Sequence, residues 1–150
     1  MVGSNSRIIV NTTIGHRRYL LLDDSRTEHH LYPGFIKGYE KIHSTSKIPI
    51  EPEFIHFYSS YEAVQFIERG QGLRKKDTWL LDYMLDGLNG LEIYGLLKQK
   101  SFSGEAILVT GGGDDKTIID EALVSGIDAI LRKPFKPEEL IRCLDRVRFQ

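Results

Sequence analysis

Five short aliphatic runs, each broken off by a polar residue or a bulky turn and separated from the next by a longer stretch of helical spacing, constrain this chain more than any other feature. The runs are YLLLD (Tyr19–Asp23), FIHF (Phe54–Phe57), WLLD (Trp79–Asp82), AILVT (Ala106–Thr110) and AILR (Ala129–Arg132). Short continuous apolar runs suit strands covered on both faces, and strands that alternate with helices predict βαβ units around a parallel sheet. The intervening segments carry helix-end signals. Ser59 with Glu62 and Asn89 with Glu92 have capping-box spacing, and Gly70 and Gly126 stand where helices stop. The last helix begins at KPEEL, with Pro137 at its first position and Glu138 and Glu139 in its first turn. Arg142, Arg146 and Arg148 follow, in keeping with the macrodipole, and Leu140, Leu144 and Val147 share one face.

The first helix is less regular. Leu31, Phe35, Tyr39 and Ile42 are spaced for one apolar face, but Pro33-Gly34 interrupts them, so the helix is either kinked there or begins near Pro33 after a longer loop. Downstream, STSKIPIEPE (Ser44–Glu53) has two prolines and no periodicity and reads as an extended connection.

With 150 residues, 41% of them hydrophobic, the chain has enough apolar side chains for one core, and neither repeats nor a low-complexity linker argue for a second. Lys and Arg number 20 against 21 Asp and Glu, so no overall field draws the protein to nucleic acid or to an anionic membrane. Function must come from a local site. Cys143 is the sole cysteine, which rules out an internal disulfide and fits a reducing cytoplasm. No apolar run approaches the roughly 20 residues that span a bilayer, and the N-terminus has no signal-peptide pattern, so a cytoplasmic location is expected.

In an open parallel sheet, ligands bind beyond the carboxyl ends of the strands. Asp23 and Asp24 close the first run, Asp82 the third and Thr110 the fourth, and Lys133-Pro134 follows the fifth. Carboxylates meeting at one edge repel, each like pair costing on the order of 4 kcal/mol at about 4 Å in an effective dielectric near 20. A cation relieves that cost. Clustered carboxylates with water and a backbone carbonyl suit Mg²⁺, and Lys133 adds a second positive charge. Such a set suits phosphoryl transfer onto a carboxylate, with Asp82 as nucleophile and the metal, lysine and hydroxyl neutralising charge.

At these residues the chain resembles the response regulator receiver domains of two-component signalling, including the chemotaxis-type, CheY-like proteins. The matching motifs are YLLLDDS, LLDYMLDGLNGLE, ILVTGG and LRKPF, in the family's order, from about Tyr19 onward. The resemblance implies a flavodoxin-like, doubly wound α/β fold: a (βα)5 sandwich whose parallel sheet has the strand order 2-1-3-4-5. Residues 1–17 would form an N-terminal extension and 18–150 the receiver domain, enlarged around 32–53. It further implies that Asp82 is the phosphoacceptor, Asp24 a direct Mg²⁺ ligand, Asp23 a ligand acting largely through water, and the Met84 backbone carbonyl a further ligand. Thr110 and Lys133 would grip the phosphoryl oxygens, and a cis Lys133-Pro134 bond is usual at that place. Implied partners are a histidine kinase or histidine phosphotransfer protein and a downstream protein target, with no nucleic acid bound by this domain and no membrane. A homodimer through the fourth helix, fifth strand and fifth helix is an open option. No enzymatic activity is expected beyond the domain's own phosphorylation and dephosphorylation.

The chain departs from the family pattern in places. Asp86 stands where proline is common and reads as a solvated loop charge, and Ile130 replaces an aromatic whose rotation often reports phosphorylation. From Asp24 to Asp82 there are 58 positions (82 − 24), more than the pattern leads one to expect. Met84 and Gly112, at the two places suited to orient a hydrolytic water, offer no polar side chain, so a long-lived phosphate is expected.

Other readings are weaker. His29-His30 are adjacent on a helix and do not face each other, Cys143 reads as a packed thiol, and Trp79 and Phe135 as core or rim aromatics. TGGGDDKT fails as a phosphate loop because Asp115 precedes Lys116-Thr117. Two alternatives remain: a haloacid-dehalogenase-like, Mg²⁺-dependent phosphatase, although the chain lacks the D-x-D pattern on its first strand, and an unphosphorylated receiver-like scaffold that only binds partners.

Overall fold

The computed structural model describes residues 17–44, 51–69, 72–111 and 115–149. Among these residues the order is β1 (Arg18–Leu22), α1 (Arg26–His43), β2 (Glu53–Phe57), α2 (Ser60–Arg69), β3 (Asp77–Asp82), α3 (Gly90–Gln99), β4 (Glu105–Thr110), α4 (Lys116–Ser125), β5 (Ala129–Arg132) and α5 (Pro137–Arg148). The strands form one parallel sheet in the order β2-β1-β3-β4-β5. This is the doubly wound, flavodoxin-like α/β architecture, with each aliphatic run at its expected place in the chain.

Strand side chains alternate between faces, so the sheet divides the core in two. Leu20, Leu22, Trp79, Leu81, Ala106 and Leu108 pack with Ala63 and Ile67 of α2, Ile93 and Leu97 of α3, and Ile118 and Ala122 of α4. On the other face Tyr19, Leu21, Leu80, Ile107, Val109 and Leu131 meet Tyr32, Ile36 and Tyr39 of α1 and Leu140, Leu144 and Val147 of α5. Every residue of β1 and β3 is buried. Trp79 is fully buried and stacks on Phe57, with centroids 5.4 Å apart, as a core aromatic should.

The helix ends largely follow their local signals. Asn89 and Glu92 form a complete capping box, and Gly126 takes the left-handed conformation, φ 84°, that ends α4. Ser59 Oγ accepts from the Glu62 N–H at 3.2 Å, and it is the Ser59 hydroxyl that donates to Glu62 Oε1, at 3.4 Å. Pro137 opens α5, and Leu140, Leu144 and Val147 form its buried stripe. Gly70 and residues 45–50 lie outside the described residues.

The apolar face expected for α1 needs correction. The helix runs through Pro33 from Arg26, and the residues it buries are His29, Tyr32, Ile36 and Tyr39. Leu31 and Ile42 are 44% and 76% exposed. A stripe containing a buried histidine and two tyrosines cannot be distinguished by hydrophobicity alone from a neighbouring stripe of Leu, Phe and Ile. Only the packing against the sheet selects it.

Candidate functional site

Where β1 and β3 end side by side, their terminal carboxylates come together. Leu22 pairs with Leu81 in register, so Asp23 and Asp82, each the next residue along, emerge at the same level of the sheet. Asp23, Asp24 and Asp82 each offer a carboxylate oxygen within 4.8 Å of the others. Asp23 is 1% and Asp82 4% exposed, while Asp24 faces solvent. The Asp23 carboxylate is oriented locally: its Oδ1 accepts from the Ser25 N–H at 2.9 Å.

Lys133 crosses from the β5–α5 connection into this cluster. Its Nζ donates to Asp23 Oδ2 at 2.8 Å and stands 3.5 Å from Asp82 Oδ1 and 3.9 Å from Glu28 Oε1. The Lys133 N–H donates to the Thr110 carbonyl at 2.8 Å, which ties the lysine to the end of β4, and the Lys133-Pro134 bond is cis. Thr110 is buried there. Burial pulls the Lys133 pKa down, but the bond to Asp23 and the charges of Asp23, Asp82 and Glu28 outweigh it and raise it overall. Asp82 is pushed up to about 6, first by burial, then by Asp23 and Asp24, against the lowering effect of Lys133. A carboxylate cluster with one ammonium carries net negative charge. Three oxygen donors spaced for one hard cation fit Mg²⁺, whose octahedral ligands lie at about 2.1 Å from the ion.

The five strand-end residues picked from the sequence thus meet at one end of the sheet. Met84 lies on the β3–α3 loop with its side chain 65% exposed, Asp86 is exposed as expected of a loop charge, and Gly112 lies outside the described residues. Gly90 brings α3 against the site, since a Cβ there would sit 2.5 Å from the Asp82 carbonyl. Cys143 is half-buried with Sγ 3.6 Å from the Ile130 carbonyl, and burial raises its pKa, as suits a packed thiol. Phe135 stacks on Tyr32 at the rim.

Two features escaped sequence reasoning. Glu28 reads as a first-turn helix acid, and nothing local shows that it reaches Lys133. His29 does not pair with His30: its Nδ1 lies 2.7 Å from His56 Nδ1 on β2, and its Nε2 lies 2.7 Å from the Asp23 carbonyl. A carbonyl only accepts, so Nε2 carries the hydrogen, and in the neutral pair His56 Nδ1–H donates to His29. Burial, followed by the charges of His29 and His30, lowers the His56 pKa and favours the neutral His56 ring.

A family model described as the response regulator receiver domain matches residues 51–145. That span contains Asp82, Thr110 and Lys133 but begins after Asp23 and Asp24. The nitrate/nitrite response regulator protein NarL of Escherichia coli K12 is 31% identical over 97 residues, 65% of this chain and 44% of that protein. The DNA-binding response regulator MtrA of Mycobacterium leprae is 37% identical over 67 residues, 45% of this chain and 29% of that protein. The chain therefore spans less than half the length of these relatives. Among solved structures, the receiver domain of a LuxO repressor protein from Vibrio parahaemolyticus superposes with a TM-score of 0.68 at 22% identity, covering 89% of this chain and 91% of that one. Chemotaxis protein CheY4 of Vibrio cholerae superposes with a TM-score of 0.66 at 19% identity, covering 88% and 98%. At such identities the likeness speaks for the fold.

Proposed function

The chain belongs to the response regulator receiver domain family, and from that premise we propose that Asp82 accepts a phosphoryl group from the phosphohistidine of a histidine kinase or phosphotransfer protein. The observation that carries this reading is the meeting of three carboxylates, whose oxygens lie within 4.8 Å of one another, with the Lys133 ammonium 3.5 Å from Asp82. In the transfer, a carboxylate oxygen of Asp82 forms a bond to phosphorus, the P–N bond to the donor imidazole breaks, and its electron pair leaves on the imidazole nitrogen. Mg²⁺, held by Asp23, Asp24, Asp82 and the Met84 carbonyl, would neutralise charge on the phosphoryl oxygens. Lys133 and the Thr110 hydroxyl would take the remaining oxygens, which requires Lys133 to turn from Asp23 toward Asp82.

In this reading residues 18–150 are the receiver and 1–17 an extension. Its signal passes by conformational change and protein contact, through Thr110 and the α4–β5–α5 face, to a downstream target or a second copy. Apolar Met84 leaves the phosphate long-lived. The family match favours this reading over a phosphatase of the haloacid-dehalogenase type. The test is intact mass after incubation with Mg²⁺ and acetyl phosphate. One added phosphoryl group, hydroxylamine-labile and absent from Asp82→Asn, is expected. Continuous turnover without an adduct would point to the phosphatase, and neither adduct nor turnover to a scaffold.

A further inference from the structure

Lys133 is surrounded by more carboxylates than the phosphoryl site needs. Beyond Asp23 and Asp82, Glu28 on the first turn of α1 places Oε1 3.9 Å from Nζ. That is too long for a hydrogen bond, so Glu28 acts on Lys133 through charge and takes up none of its donors. Among the described residues, the buried side-chain polar atoms without a hydrogen-bond partner include Glu28 Oε2 and the Tyr32 hydroxyl, one helical turn apart. Tyr32 is 1% exposed, and the charges of Asp23, Glu28 and Asp82, added to burial, raise its pKa. An unpaired phenol at that place is a donor facing a surplus of anions. Between α1 and the β5–α5 connection lies a cleft of about 450 Å³ whose lining includes Glu28, Leu31, Phe35, Lys133, Pro134 and Phe135, so the Glu28 and Lys133 side chains border on a space open to small ions.

We propose that Glu28 is a further positioning residue of this site: its carboxylate draws the Lys133 ammonium toward α1 and adds a fourth negative charge, so that the resting site favours a cation and disfavours phosphoryl anions. The role rests on the phosphoacceptor reading of Asp82. A fixed charge moves cation and anion affinities in opposite directions, whereas loss of packing weakens both. A helix-dipole role alone would move neither.

The test compares the full chain with its Glu28→Gln and Glu28→Asp variants. Mg²⁺ affinity is measured by calorimetry, and the rate of phosphorylation by acetyl phosphate is measured by mass at Mg²⁺ saturating for each protein. For Glu28→Gln, the Mg²⁺ Kd should rise roughly three- to tenfold and phosphorylation should quicken by a similar factor. Glu28→Asp, which keeps the charge, should restore both toward wild type. Two shifts that weaken both functions, or no shift in either, would overturn the role. If the wild type takes up no phosphate, the phosphoacceptor reading falls. The Mg²⁺ arm then judges Glu28 alone: an unchanged Kd in Glu28→Gln overturns its charge role, and a raised one sustains it.

Discussion

Asp82 is held against its own electrostatics. Burial and the neighbouring Asp23 and Asp24 push its pKa up to about 6, and Lys133 offsets only part of this. Because the folded pKa lies above the usual value near 3.9, the folded state binds the proton more tightly than the unfolded state, and stability falls as pH rises through that interval. In Mg²⁺-free buffer Asp82→Asn should therefore stabilise the protein at pH 7.5 by about 1–2 kcal/mol after allowance for solvent screening. The gain should shrink as pH falls through 6 and vanish near 4. Urea unfolding at a series of pH values measures this; a gain independent of pH would remove the charge explanation. The strand-end aspartates were legible as a set because each stops an apolar run. Glu28 and His29 were not, since their partners Lys133 and His56 lie far along the chain.

At the scale of elements, β1 and β3 are pinned at both ends. Opposite the acidic site, Arg18 of β1 donates through Nε and Nη2 to the two carboxylate oxygens of Asp77 at 2.8 and 2.7 Å, with both residues almost wholly buried. Asp77 also accepts from the Arg74 N–H at 2.8 Å and thereby shapes the turn into β3. Removing one partner strands the other charge inside the protein. Asp77→Ala should cost about 3–5 kcal/mol in denaturant unfolding, and a loss under 1 kcal/mol would show that Arg18 finds solvent instead. Arg18 and Asp77 flank aliphatic runs and look from sequence like ordinary strand borders. Their pairing follows from the parallel register, which brings residues 59 positions apart side by side.

For the molecule as a whole, the sheet separates the two layers of helices, and α1 and α5 share the face away from α3. Their far ends are clasped together: Tyr39 donates to Asp145 at 2.9 Å, Arg148 donates to Glu40 at 2.9 Å, and Tyr19 of β1 also donates to Glu40. The 18-residue α1 is long enough to carry this clasp about one turn beyond Ile36. Glu40→Ala should destabilise the protein by about 1–3 kcal/mol, and amide exchange should quicken most in the last turn of α5. Uniform exchange changes across the sheet would mean that the clasp has no local role. Periodicity and run length determined the number, order and type of elements, because an aliphatic run that stops on a polar residue can be satisfied in few ways. The same runs delivered Asp23, Asp82 and Thr110 to the strand ends. Which stripe of α1 faces inward, where its tyrosines and histidine find partners, and how many carboxylates surround Lys133 were decided only by tertiary structure. Those outcomes depend on contacts between residues distant in sequence, for which no local spacing carries a signal.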